Sequence, residues 1–229
     1  MEIHPGIEIV DLALKYKDIL IVGDLQLGYE SYLNKAGYLV PRFQFEDVKM
    51  MLTKILEKVK ISKIIFNGDI KHEFGTISEQ EWREVLGVVD LVNKKAEVIF
   101  VKGNHDVVLG PIARKRGIKL VDYYKVDNIT IMHGDKIIPD LGEVLIIGHE
   151  HPAISFKERR GEKFKCFIKG KWNNHILIVM PSFNILNPGS DITKEKQLSP
   201  FLQGDLSNFE VWIVEDKTYY FGKIKGLIT

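Results

Sequence analysis

The chain has 229 residues, 45% hydrophobic and 28% charged, which is enough to bury a substantial core and excludes a disordered or fibrous protein. Its formal net charge of +1 means that any attraction to a polyanion must come from a local patch. The start of the chain does not resemble a signal peptide, no apolar run spans a bilayer and Cys166 has no partner for a disulfide, so we expect a cytoplasmic protein without membrane association.

Short runs rich in Ile and Val recur along the chain, and they have the length and branching of buried strands. Two stretches with apolar residues three and four positions apart separate the first three runs, and they predict helices over 45–60 and 78–95, with Ser78 as a cap. This alternation predicts an α/β fold whose first sheet is largely parallel. The strand-like runs cover 18–23, 63–68, 97–103, 129–134, 143–149, 175–180 and 209–215.

Beyond about residue 118 the pattern changes, because strand-like runs follow one another without a long helix between them. This half predicts a second, mostly antiparallel sheet. No linker rich in Pro, Gly or Ser separates the halves. We therefore predict a single domain over residues 1–229, with two mixed β-sheets packed face to face and flanked by helices.

Five short polar motifs follow strand-like runs, where open α/β sheets place their ligands. They are GDLQLG from residue 23, NGDIKHEF from 67, KGNHD from 102, MHGD from 132 and GHEHP from 148. The motifs offer imidazoles, carboxylates and amides but no thiolate, and mixed N and O donors suit Mn²⁺, Fe or Zn²⁺. Each motif alone is weak, because an Asp after a strand often caps a helix and a lone His is usually structural. Their common position after strands predicts one metal-binding cleft.

The series GD, GD, GNHD, HG and GHxH, from about residue 18 to 155, resembles the calcineurin-like metallophosphoesterase superfamily. The resemblance implies hydrolysis of phosphodiester or phosphomonoester bonds with two divalent ions, Mn²⁺ in first place and Fe, Zn²⁺ or Ni²⁺ as alternatives. By the family's pattern Asp69 bridges the two ions. The other implied ligands are Asp24, Gln26 and His151 for the first ion, and Asn104, His133 and His149 for the second.

Two further histidines are candidate catalytic residues. By the family's pattern His105 faces the substrate, and because histidine titrates near neutrality it is the candidate general acid or transition-state stabiliser. His72 lies three residues after Asp69, and this spacing resembles the SbcD/Mre11-related (ICC-like) branch of the superfamily. His72 would orient His105 or hold a phosphate oxygen, and the alternative is a solvent-facing loop residue. Asp106 is predicted to orient its loop rather than to bind metal.

Gln26 stands where a histidine would be a better ligand, because a neutral amide oxygen binds borderline transition ions more weakly than a ring nitrogen. Three interpretations stay open. Gln26 binds through its carbonyl or a water, which leaves an easily lost first ion; the site works with one ion; or the chain is a catalytically silent interaction module. The buried acids and imidazoles expected around Gln26 favour an enzyme, because such groups are costly to bury without a partner or a metal.

We predict a phosphoester substrate, and nucleic acid is one candidate. Two segments outside the motifs are relevant to this choice. Segment 156–172 has an excess of Lys and Arg with interleaved aromatic residues, so Arg159 and Arg160 are candidate phosphate contacts, and the alternative is a solvated basic hairpin. Segment 181–208 is rich in turn residues, is typical of a loop that borders a cleft and contains a tight turn at Asn187. The sequence does not indicate an oligomeric state.

Overall fold

Two β-sheets organise the molecule, in a computed structural model that describes residues 1–156, 159 and 161–227. The first sheet has seven strands, in chain order from edge to edge: β1 (Glu2–His4), β2 (Ile7–Val10), β3 (Ala13–Tyr16), β4 (Ile19–Gly23), β5 (Lys63–Asn67), β6 (Glu97–Val101) and β7 (Lys119–Val121). The second sheet contains β8 (Tyr123–Val126), β9 (Ile129–Met132), β10 (Val144–Ile147), β11 (Pro152–Ile154), β12 (Phe164–Trp172), β13 (His175–Val179), β14 (Ser190–Asp191), β15 (Glu210–Val214) and β16 (Thr218–Lys223).

The first sheet is parallel only in one half. Strands β4 to β7 run parallel, as their helical connections predict. Strands β1 to β4 form an antiparallel meander, so the prediction of a largely parallel sheet misses the N-terminal edge. The physical reason is the length of the connections: turns of only two residues can join antiparallel strands but cannot cross over between parallel ones.

The second sheet is mixed, with parallel pairs at its centre and at the β11–β14 edge and antiparallel pairs elsewhere. Strand β10 pairs in parallel with both β9 and β13. Strands β8, β12, β15 and β16 add antiparallel pairs on either side, as expected for hairpin-length connections. Because β9 and β10 run parallel and are neighbours, the loops that follow them emerge at the same edge of the sheet.

Helices connect the parallel strands of the first sheet. In the described part of the chain the α-helices are α1 (Tyr29–Lys35), α2 (Gln44–Lys58), α3 (Glu79–Val92) and α4 (Gly110–Arg116), and 3₁₀ turns cover Pro200–Leu202 and Ile224–Gly226. Helices α2 and α3 agree with the two amphipathic stretches predicted from the sequence. Among the described residues no helix is both long and apolar enough to cross a membrane.

The core lies between the two sheets, between the first sheet and its helices, and on the outer face of the second sheet. One hydrophobic cluster combines Ile21 and Phe66 of the first sheet with Ile131 and Ile146 of the second. The neighbour Leu145 in β10 belongs to another cluster, because successive side chains of a strand point to opposite faces. The predicted fold class, two packed mixed sheets flanked by helices, is confirmed. The single domain over residues 1–229 stays a prediction.

Replacing the cap of α3 should lower stability measurably. Ser78 Oγ accepts the backbone N–H of Glu81 at 3.2 Å, and a Glu81 carboxylate oxygen accepts the backbone N–H of Ser78 at 2.8 Å. We expect Ser78→Ala to cost about 1 kcal/mol, or about 2 to 4 °C in Tm, because it leaves a helix N–H unpaired. Ser78→Thr keeps the acceptor oxygen and is the control in thermal unfolding. Equal losses in the two variants would contradict the role of the cap.

Candidate metal centre

The predicted ligands lie on loops that leave the carboxyl ends of strands in both sheets. Strands β4, β5 and β6 are parallel neighbours in the first sheet, and β9 and β10 are parallel neighbours in the second. Their following loops therefore meet at one edge of the two-sheet core. The residues on these loops are Asp24, Gln26, Asp69, Asn104, His133, His149 and His151.

Three potential ligand atoms converge on Nε2 of His133. His133 Nε2 lies 2.9 Å from Asn104 Oδ1, 3.1 Å from His149 Nδ1 and 3.5 Å from Asp69 Oδ1. With metal–ligand distances of about 2.1 Å, neighbouring donors in a tetrahedral or octahedral shell are about 3.0 to 3.5 Å apart. Potential ligand atoms of Asp24, Asp69 and His133 also lie within 4.8 Å of one another. The spacing fits the ligand shell of a divalent ion.

Burial and charge at this centre also fit a cation. Asp24 is fully buried, and His133 is 1% exposed. Burial would raise the pKa of Asp24, but His151 and His133 hold it well below its usual range. Burial would lower the pKa of His133, but Asp24 and Asp69 raise it to about 9. A bound divalent ion would take over the neutralising role of the His133 proton.

Three polar atoms at the centre have no hydrogen-bond partner among the described residues. They are Asp24 Oδ1, His133 Nδ1 and His151 Nε2. Asp24 Oδ1 faces His133 Nδ1 at 3.3 Å and Asp24 Oδ2 faces His151 Nε2 at 3.4 Å, contacts that are longer than ordinary hydrogen bonds. Buried polar atoms without a full hydrogen bond are costly. Carboxylate and imidazole donors suit Mn²⁺, Fe or Zn²⁺, so the donor chemistry agrees with the family's use of divalent metals.

The backbone is strained where predicted ligands occur. Asp24, Gln26, His149 and His151 all have left-handed backbones, with φ of 44°, 46°, 65° and 51°. Such a conformation costs a residue with a side chain on the order of 1 kcal/mol or more. The strain aims these four side chains toward the cleft, and strain of this kind clusters at functional sites.

Two motif glycines are required because the backbone passes very close to ligand side chains. A Cβ atom on Gly68 would lie 1.9 Å from His133 Nδ1, and one on Gly148 would lie 2.3 Å from Asp24 Oδ2. Any larger residue would displace the ligand that it touches. Gly68, before Asp69, and Gly148, before His149, therefore leave the space that the side chains of His133 and Asp24 occupy.

His105 and His72 lie side by side next to the centre. The backbone N–H of His105 donates to Asp69 Oδ1 at 3.0 Å, and His105 Nε2 lies 3.9 Å from Asp69 Oδ2. His105 Nδ1 donates to the His72 carbonyl, which leaves Nε2 facing the centre. The two rings stack at 5.5 Å, and Tyr29 and Tyr32 pack against the other side of His72. Burial, followed by the charge of His105, lowers the pKa of His72 to about 4.

Asp106 ties two ligand-bearing loops together. Its carboxylate accepts the backbone N–H groups of Gly103 at 3.0 Å and Ile70 at 3.1 Å, and a longer contact reaches Lys71. Burial, reinforced by the charge of Asp69, raises the pKa of Asp106 to about 7. These contacts favour the predicted role of Asp106, which is to orient loops.

Gln26 makes contacts that the sequence does not suggest. Gln26 Oε1 accepts the side-chain amide of Asn187 at 3.1 Å and faces that of Asn184 at 3.5 Å. Asn187 Nδ2 also lies 3.0 Å from His151 Nδ1. Both asparagines belong to segment 181–208, which therefore borders the cleft. The signal in the sequence is the length and the turn-rich composition of this segment, which are typical of a loop that borders a cleft. The ligand role of Gln26 stays a prediction.

Arg159, one of the two predicted phosphate contacts, makes its described contacts outside this cluster. Arg159 pairs with Glu162 at 3.3 Å, and its guanidinium lies 5.5 Å from the centre of the Phe164 ring. It lines a cleft of about 490 Å³ together with Phe156 and Phe221. Arg160 lies outside the described residues. The substrate role of both arginines stays a prediction.

The two-sheet fold and the carboxylate and imidazole cluster define a metallophosphoesterase-like protein. The model of the calcineurin-like phosphoesterase family matches residues 17–202, so the chain belongs to this family. The structure is similar to the nuclease MPE of Pseudomonas putida, with a TM-score of 0.67, 18% identity and 92% of each chain covered. A protein of unknown function from Aquifex aeolicus has a TM-score of 0.38 and 20% identity, over 58% of this chain and 78% of that one. No curated protein shows significant sequence similarity to this chain.

Metal binding should stabilise the protein through Asp69. At a Mn²⁺ concentration 100 times Kd, we expect the chelator-treated protein to gain about 2.7 kcal/mol, or about 5 to 10 °C in Tm. Asp69→Asn should lose most of this gain, because a neutral amide replaces a buried carboxylate at the centre of the cluster. The control is Asp127→Asn, which removes an exposed carboxylate paired with Lys17. Equal Mn²⁺ shifts in the two variants would count against the centre.

Proposed function

We propose that the chain is a phosphoesterase that hydrolyses phosphodiester or phosphomonoester bonds with bound divalent metal, Mn²⁺ ahead of Fe, Zn²⁺ and Ni²⁺. The observation that carries the proposal is the convergence of Asp69, Asn104, His133 and His149 around one point, with His105 beside them. Bound divalent ions would stabilise charge on the phosphoryl oxygens and activate the attacking water. We also propose that the chain forms a single domain and that it acts in the cytoplasm.

We propose that His105 donates a proton to the leaving group. The His72 carbonyl keeps the proton on Nδ1, so Nε2 is the atom presented to the cleft. In its protonated form His105 can give the Nε2 proton to the departing alkoxide oxygen. The backbone contact with Asp69 holds the His105 loop against the metal centre. His72 supports the His105 ring by stacking. Its position three residues after Asp69 is the reason to propose the SbcD/Mre11-related branch.

The surface beside His105 supports nucleic acid as the substrate class. Tyr32 is 53% exposed and packs against His72, and Phe74 is 65% exposed and packs against His105. Tyr32 packs tilted against His72 and Phe74 packs edge-on against His105, so both are exposed aromatic rings beside the metal centre on which bases can stack. The similar fold from Pseudomonas putida is described as a nuclease, which agrees with this substrate class.

A silent interaction module on the same fold is the competing function. The observation that favours it is the engagement of Gln26 Oε1 by Asn187, because this oxygen already has a hydrogen-bond partner. Such a module would keep the cleft for a partner without turnover. Metal binding and hydrolysis must therefore be measured separately.

Loss of His105 should reduce hydrolysis without removing the metal. We expect wild-type protein with Mn²⁺ to cleave bis-p-nitrophenyl phosphate or p-nitrophenyl phosphate, and His105→Ala to lower kcat by about 10² to 10⁴ because the general acid is lost. The Mn²⁺-induced rise in Tm should persist in His105→Ala. His4→Ala, on the edge strand β1, is the control. Metal binding without turnover in any divalent ion would establish the silent module instead.

The exposed rings should contribute to binding of single-stranded DNA. With His105→Ala as the background to prevent cleavage, we expect Tyr32→Ala and Phe74→Ala each to weaken binding by about 5-fold or more, since stacking contributes about 1 to 3 kcal/mol per base. Tyr220→Ala removes an exposed ring of β16 and should have no effect. An abasic oligonucleotide of equal length should be insensitive to all three changes. Equal sensitivity of the abasic strand would argue against stacking.

A further inference from the structure

Asn187 lies between two of the predicted ligands of the first ion. Its Nδ2 is 3.1 Å from Gln26 Oε1 and 3.0 Å from His151 Nδ1. The amide of Asn187 therefore determines which atoms of Gln26 and His151 are still free of a hydrogen bond. This inference concerns the number of ions in the centre, and it rests on the proposed metal-dependent function.

The orientation of the Asn187 amide follows from a backbone contact. The N–H of Gly189 donates to Asn187 Oδ1 at 2.9 Å. A backbone N–H can only donate, so the oxygen must occupy this position and the NH₂ group must face Gln26 and His151. The NH₂ group has two hydrogens and meets two acceptors, so both hydrogens are used.

This orientation determines the proton position on His151. A neutral imidazole carries one proton, and if Nδ1 accepts a hydrogen bond then the proton is on Nε2. His151 Nε2 faces Asp24 Oδ2 at 3.4 Å. A nitrogen that carries a proton has no lone pair to give to a metal ion. Moving the proton to Nδ1 would set it against the N–H of Asn187.

The side-chain carbonyl of Gln26 also faces amide donors. Its Oε1 faces amide groups of both Asn187 and Asn184. The N–H of Leu186 donates to Asn184 Oδ1 at 3.0 Å, which turns the Asn184 amide nitrogen toward Gln26. The Asn187 amide donates to this oxygen at 3.1 Å, and the Asn184 amide nitrogen lies beside it at 3.5 Å, the outer limit of a hydrogen bond. The Gln26 carbonyl is therefore engaged by Asn187 before it can serve as a ligand.

Further contacts hold the segment that carries these asparagines in place. Lys165 Nζ donates to the backbone carbonyls of Ser182 at 2.6 Å and Asn184 at 2.5 Å. Ser182 Oγ donates to the backbone carbonyl of Asp24 at 2.9 Å. These bonds connect the segment to the strand that supplies the first ligand, so turning Asn187 away would disturb a buried network.

We propose that Asn187 is a positioning residue that holds His151 with its proton on Nε2 and occupies Gln26, so that the chain retains one divalent ion tightly and leaves the first position closed. The retained ion would be held by the converging donors Asp69, Asn104, His133 and His149. Changes to the hydrogen-bond partner of a metal-binding His typically alter metal affinity by about 10- to 100-fold.

The test is Asn187→Asp, which changes a donor into an acceptor of nearly the same shape. One carboxylate oxygen can still accept the Gly189 N–H, and the other can accept a proton on His151 Nδ1, which frees Nε2 for metal. We expect bound Mn²⁺, measured by elemental analysis and titration calorimetry, to rise from about one to about two per chain, with the second ion bound about 10- to 100-fold more tightly than in the wild type. Asn184→Asp is the control, because it adds the same charge near Gln26, whereas the side chain that hydrogen-bonds His151 Nδ1 is that of Asn187.

Nuclear magnetic resonance tests the proton position without any metal. At a pH where imidazole is neutral, long-range ¹H–¹⁵N correlations of the metal-free wild type should show His151 protonated on Nε2, with the signal assigned by its loss in His151→Gln. A proton on Nδ1, two Mn²⁺ ions bound with similar affinity in the wild type, or an equal gain in Asn184→Asp would overturn the inference. Failure of every variant to bind Mn²⁺ would overturn the proposed function as well, whereas two tight ions in the wild type would leave that function standing.

Discussion

The structure depends on the burial of two carboxylates and an imidazole at the seam between the two sheets. Asp24, Asp69 and His133 are almost completely removed from water, and groups of this kind are costly to bury unless their charges are compensated. Other features of the cleft serve this cluster: the parallel strands of both sheets direct their loops to it, and Gly68 and Gly148 let the backbone approach it. In the absence of a cation the positive charge comes from a proton on His133, whose pKa is raised to about 9 by the two carboxylates after the opposing effect of burial. A divalent ion can replace this proton, because donor atoms of Asn104, His149 and Asp69 already lie within 3.5 Å of His133 Nε2.

Hydrogen bonds also position the residues that surround the cluster. The carboxylate of Asp106 accepts backbone N–H groups of the two loops that it joins, which agrees with the predicted role of orienting these loops. His105 is placed by a backbone bond to Asp69 and by the His72 carbonyl, so one ring nitrogen is committed and the other faces the cleft. Glu81 shows how far the support extends: it completes the capping box of α3 and also accepts the backbone N–H of His72 at 3.1 Å. The start of a helix and the position of a candidate catalytic residue therefore share one carboxylate.

Much of this arrangement could be predicted from the sequence, because its signals are local. Helices α2 and α3 show clear amphipathic periodicity, whereas α1 and α4 have only seven residues each, too few for a periodic pattern to be recognised. The donors could be predicted because each follows a strand-like run within a few residues. Strands β1 to β3 were missed, because three- and four-residue strands joined by short turns leave little pattern. The contact of Asn187 with Gln26 could not be predicted, since 161 positions separate the two residues and an Asn before Pro-Gly is typical of an ordinary turn.

Position 26 can therefore be interpreted only together with Asn187. Considered alone, Gln26 is a weaker ligand in place of a stronger one, and the expected consequence is a loosely held ion. Considered with its partners, Gln26 is a hydrogen-bond acceptor matched to an amide donor whose direction is set by the N–H of Gly189. The same donor faces His151, so two of the three residues that the family pattern assigns to the first ion alone are engaged by one side chain. These two interpretations have different consequences. A weakened ligand leaves a position that a higher metal concentration can fill. A filled hydrogen-bond network must be broken before an ion can enter.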